Sequence, residues 1–136
     1  MRALLLLVVG LLIGSLLTAT ALNLLSMGKG PRAHAAMMVT LQYQLGGARE
    51  AVETGCKEGT GARQLLVMRT LADDLEPLFI ERGYDAELFA RHSQQFRARL
   101  DTAMALDDSV SCSVRQAEIG KVRDTCQACH RDFGRG

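Results

Sequence analysis

The chain has 136 residues, enough for one compact domain and hardly for two. Its 16 Lys and Arg stand against 15 Asp and Glu, so it has neither the basic excess of a nucleic-acid surface nor an acidic solvating tail, and no nucleic-acid partner is expected. There is no Trp and only 4% aromatic residues, and Ala, Leu, Arg and Glu are abundant, a composition that favours helix.

Residues 1–25 read as a separate object. From Ala3 to Leu25 no side chain is charged, and Arg2 is the only charge before that run. About 20 apolar residues span a bilayer, so the segment predicts a signal peptide or a signal-anchor helix. Ala19, Thr20 and Ala21 make the small-x-small pattern of a cleavage site, and Leu22, Leu24 and Leu25 continue the apolar run past it, which favours an uncleaved anchor. Either way the remainder is exported, to the periplasm, tethered to the inner membrane by residues 3–25 or released after cleavage near Ala21. Residues 26–31, with Gly28, Gly30 and Pro31, predict a hinge linker.

Residues 32–136 carry four helical patterns. The first, Arg32 to Thr54, spaces Met38, Leu41, Leu45, Ala48 and Val52 at alternating steps of three and four, and stops at Gly55. The second, Ala62 to Ile80, places Leu65, Met68, Leu71 or Ala72, Leu75 and Phe79 on its seam, with a kink or early end expected at Pro77. Asp85 caps the third, whose seam is Phe89, His92, Phe96, Leu100 and Ala103. The fourth starts at Ser113, with Gln116 completing a capping box, and carries Val114, Ala117 or Glu118, Val122, Thr125 and Cys129. No stretch alternates with the period of a strand. The expected fold is all-α: an antiparallel up-down four-helix bundle preceded by an N-terminal hydrophobic helix.

Cys126, Gln127, Ala128, Cys129 and His130 spell the haem-attachment pattern Cys-x-x-Cys-His. On a helix its three functional residues stand at i, i+3 and i+4 and share one face. Two thiols there can add to the two vinyl groups of one porphyrin, and the adjacent imidazole can ligate the iron. The competing readings are a redox dithiol, which lacks the strand–helix context it needs, and a zinc site made with Cys56 and Cys112. The helix order puts that second pair at the opposite end of a bundle, in two loops that share an end, so a disulfide between Cys56 and Cys112 is expected in an oxidising compartment.

A C-terminal Cys-x-x-Cys-His followed by an aromatic residue, on the fourth helix of a bundle, resembles the class II cytochromes c, the cytochrome c′ and cytochrome c-556 family. Cys126, Cys129, His130 and Phe133 carry the resemblance; outside them, from Arg32 on, it rests on helix count and pattern. The family often places a basic residue after the aromatic one, whereas Gly134 stands here and Arg135 follows. The resemblance implies a non-enzymatic protein with one covalent haem c, redox partner proteins, and pairing into a homodimer through the first helix. Its members divide by the sixth ligand. A Met from the first helix makes a six-coordinate electron carrier, and an apolar side chain leaves a five-coordinate iron that binds NO or CO. The start of helix one lies beside the end of helix four in such a bundle, and Met38 shares the inward seam, so Met38 is the expected ligand and electron transfer the expected function. Met37 is rotated by about 100° onto the flank, His34 is a second candidate one turn earlier, and His92 is expected as a core histidine. Arg32 is a candidate partner for a haem propionate.

Overall fold

The computed structural model describes residues 10–15, 17–22, 31–56, 59, 61–80, 83–107 and 109–134. These residues are mostly helical, with no strand among them: the fold is all-α. The chain divides into two units, Met1–Ala36 and Met37–Gly136.

In the first unit residues 10–15 and 17–22 are helical, and Leu11, Leu12, Ile13, Leu17 and Leu22 are all exposed. Among the described residues no helix is long and apolar enough to cross a membrane; residues 1–9, 16 and 23–25 of the expected anchor, and the expected hinge at 26–30, lie outside the description. Pro31, the last residue of the expected linker, is the first residue of helix α1 (Pro31–Thr54). Its missing N–H would have no partner at that position, and its fixed φ suits a helix start.

Beyond Ala36, α1 buries Leu41, Ala48 and Val52, with Met37, Met38 and Leu45 half-buried beside them. Helix α2 (Ala62–Ala72) begins after Gly61, which is buried at φ +80°. Only glycine takes that conformation freely, and a Cβ at Gly61 would stand 3.4 Å from the Ala48 carbonyl oxygen, so this turn also sets how closely α2 approaches α1. The helical stretch expected over 62–80 is two helices, α2 and α3 (Leu75–Ile80). The break falls at Asp73 and Asp74, one turn ahead of Pro77. Pro77 has no N–H to offer the Asp73 carbonyl four residues back, and its ring crowds that oxygen. The chain tightens there instead, Asp73 N–H donating to Thr70 O at 3.4 Å and Asp74 N–H to Leu71 O at 3.2 Å. Arg97 supports the break from across the core, donating to the Ala72 carbonyl at 3.3 Å and to Glu76 Oε1 at 2.6 Å.

Asp85 caps helix α4 (Ala86–Met104), its carboxylate accepting from the Leu88 N–H at 2.8 Å. The buried line of α4 is Phe89, Ser93, Phe96, Leu100 and Ala103. His92 is therefore displaced from the expected seam by one residue: steps of four, three, four and three from Phe89 require 93, and Ser93 is only 3% exposed. Helix α5 (Cys112–Phe133) starts earlier than expected, with Ser111 rather than Ser113 before it; the Ser111 side chain makes no capping bond, and Ser111 Oγ and Ser113 Oγ bond each other at 3.0 Å instead. Its inward line runs through Ile119, Val122, Cys126, Cys129 and Phe133, which rotates Val114 off the seam and leaves it 45% exposed.

Helix α4 packs closely on α5, α2 and α3. The main core joins Leu41 of α1, Leu65 and Met68 of α2, Phe79 of α3, Phe96 and Leu100 of α4 and Val122 of α5, and a smaller cluster joins Ala48, Val52 and Ile119.

Candidate functional site

The last two turns of α5 carry the site. Cys126 and Cys129 are free thiols, half-buried, and His130 is exposed. The helix is unbroken from Cys112 to Phe133, so the three residues keep the i, i+3, i+4 spacing of one face. Burial, reinforced by the neighbouring Cys129, pushes the Cys126 thiol up to about 11. Burial and then the Asp132 carboxylate raise Cys129 as well. Both sulfurs are consequently protonated and uncharged at neutral pH. A redox dithiol has the opposite character: it sits at a helix N-terminus, whose partial positive charge lowers the thiol pKa. This pair sits near the C-terminal end of a 22-residue helix.

Phe133, one turn beyond Cys129, belongs to a cluster that gathers most of the chain's few rings. Of its four Phe and two Tyr, Phe79, Tyr84, Phe89 and Phe133 form one cluster. Phe133 lies 5.3 Å from Phe89 and meets Tyr84 edge-on, also at 5.3 Å, while Phe79 stacks on Phe89 at 5.3 Å. Cys126, Phe133, Tyr84, Met37 and Met38 all pack against the main core. The two methionines are thus both half-buried, and Met37 on its flank packs against the core as Met38 does. Near the start of α1 both residues lean on the same apolar surface.

The other expected site residues stand as follows. The Arg32 side chain lies outside the description, although its backbone is in α1. His34, one turn before Met38, is buried. His92 is half-buried, and its Nε2–H donates to Asp132 Oδ2 at 2.8 Å. Cys56 and Cys112 form a disulfide with Cα atoms 5.7 Å apart, so those two sulfurs are joined to each other. Among the described residues no three His, Cys, Asp or Glu side chains converge as a metal site of their own.

Two residues of this region carry no signal in the motif. Asp132 is visible only once the register of α4 against α5 sets it opposite His92. Ser93 has a buried hydroxyl without a hydrogen-bond partner among the described residues, a feature that a seam drawn through His92 hides. Gly134 ends the helix, and a Cβ there would collide with the His130 carbonyl oxygen, which gives a steric reason for glycine where the class II pattern has a larger residue. No protein family, curated protein or solved structure matches this chain.

Proposed function

We propose that the chain is a c-type monohaem cytochrome of the class II kind, an exported electron carrier rather than an enzyme, in which residues 32–136 form an antiparallel up-down four-helix bundle. The observation that carries this reading is the donor set on one face of α5: two uncharged, half-buried thiols and one exposed imidazole. Two thiols and an imidazole at this spacing suit addition to two vinyl carbons with the ring beside the iron. His130 makes no side-chain hydrogen bond among the described residues, so both ring nitrogens remain available.

The surroundings fit the same group. Cys126 and Cys129 would each hold the porphyrin through one thioether, and His130 would ligate the iron. Phe133, one turn beyond Cys129 on the same helix, and Tyr84, which meets it edge-on, are half-buried rings that would pack beside the group. Met38, on the core that also receives Cys126, would supply the sixth ligand; its thioether favours the ferrous state and raises the potential. The haem supplies a one-electron ferric/ferrous couple. Phe133, Tyr84 and the core behind Cys126 would shield the group from water, and His130 with Met38 would hold its iron. Residues 3–25 would anchor the chain in the inner membrane, in keeping with the exposed leucines at 11, 12, 17 and 22, and the bundle would face the periplasm.

The test is the optical spectrum of purified protein, oxidised, reduced and reduced with CO. A sharp low-spin alpha band unchanged by CO is the expected result. A high-spin spectrum with ready CO binding would transfer the protein to the gas-binding branch, and absence of haem absorbance would overturn the reading.

A further inference from the structure

Helix ends fray, because their last carbonyls have no partner within the helix. The final turn of α5 carries Cys129 and His130, so its order decides how well both are presented. Asp132, two residues past His130, accepts a hydrogen bond from His92 Nε2–H at 2.8 Å. The His92 side chain is only 13% exposed, where a charge-assisted bond is screened less than on the surface. The same imidazole meets the Phe133 ring edge-on, with centroids 5.8 Å apart and planes at 82°. Among the described residues this is the only side-chain hydrogen bond that ties the last two turns of α5 to another helix.

We propose that His92 and Asp132 are positioning residues for His130. Asp132 lies about 200° around the helix from His130 at about 100° per residue. Its grip on α4 therefore fixes the rotation of the final turn about its own axis, and with it the direction of the Cys126, Cys129 and His130 face. Both act through the backbone of the turn. The proposal rests on the haem reading above and assigns His92 a role outside both the core and the ligand set.

The experiment uses the full chain as purified, wild type beside His92→Leu, His92→Gln and Asp132→Asn. Two readouts are taken: amide hydrogen exchange at residues 129–134, and the ferric EPR spectrum, which reports the orientation of the axial imidazole. Loss of one partly buried hydrogen bond should raise exchange about tenfold in His92→Leu and broaden the EPR lines as His130 samples several orientations. His92→Gln, which keeps an N–H for Asp132, should restore both. If His92→Leu fails to fold, Asp132→Asn supplies the same comparison. Unchanged exchange overturns the clamp. Faster exchange with unbroadened lines makes the bond merely structural and overturns the positioning role. A wild-type chain without Soret absorbance overturns the haem reading and the ligand half of this proposal with it, whereas failure of the clamp alone leaves that band in place.

Discussion

The thiol of Cys126 ties the fold to pH in a way that can be worked through. In the haem-free chain it is raised from the ordinary 9.0 to about 11 by burial and by Cys129. The folded state thus favours the protonated thiol. Stability from this group is fully present below pH 9 and falls as pH climbs towards 11, because the unfolded chain releases the proton first. Each pKa unit corresponds to about 1.4 kcal/mol, so the largest loss is about 2.7 kcal/mol, and about 2 kcal/mol is a fair expectation for a thiol that keeps some contact with water. That is a large share of the stability of a small domain. The assay is urea unfolding of the haem-free full chain from pH 7.5 to 11, wild type against Cys126→Ala, with the Cys56–Cys112 disulfide checked by mass at each pH. Other groups titrate in this range in both proteins, so the difference between the two curves isolates Cys126. Wild type should lose stability more steeply between pH 9 and 11. Parallel curves would refute the argument that this sulfur is desolvated. In protein carrying the proposed thioether the sulfur cannot titrate, and the extra slope should vanish.

Met38→Ala in the haem-loaded protein should retain the covalent haem, turn high-spin when reduced, gain CO binding and lower the potential, whereas Met37→Ala should leave the spectrum unchanged; the reverse pattern would assign the ligand to Met37. Replacing Cys56 and Cys112 together by Ala opens a loop of sequence separation 56 and should cost about 4 kcal/mol in urea unfolding on the chain-entropy model; a loss under about 1 kcal/mol would show that the two loops meet without the bond. Gly61→Ala forces a Cβ into φ +80° and against the Ala48 carbonyl, and should cost about 1–2 kcal/mol; an unchanged urea midpoint would refute the close approach of α2 to α1.

Helix existence was legible because apolar residues at steps of three and four need only local counting. The seam of α1 and the Asp85 cap of α4 are of that kind. Register was less legible. His92 and Ser93 are adjacent, and an imidazole looks like the better core residue, yet the turn count from Phe89 to Phe96 selects Ser93 and turns His92 towards α5. Val114 is apolar and Ile119 was the better anchor, because the α5 seam is set by Cys126 and Phe133 at its far end. The break before Pro77 follows from the carbonyl four residues back, which places the disruption ahead of the proline itself.

The candidate site divides along the same line. Cys126, Cys129 and His130 lie within five residues, so one helical turn brings them to a common face whatever the rest of the chain does. The other side of the site depends on packing between helices far apart in sequence. His92 and Asp132 are forty residues apart, and no motif connects them; only the fit of α4 against α5 does. Met37 and Met38 pose the same difficulty more sharply. A period of 3.6 separates their directions by about 100°, but a long flexible thioether can bend through much of that angle, and both side chains reach the core that receives Cys126. The Cys-x-x-Cys-His face on which the proposed attachment rests therefore follows from local sequence. Within the proposed haem reading, the choice between carrying an electron and binding a gas would depend on which methionine sulfur came to the iron, a property of side-chain packing that periodicity alone does not encode.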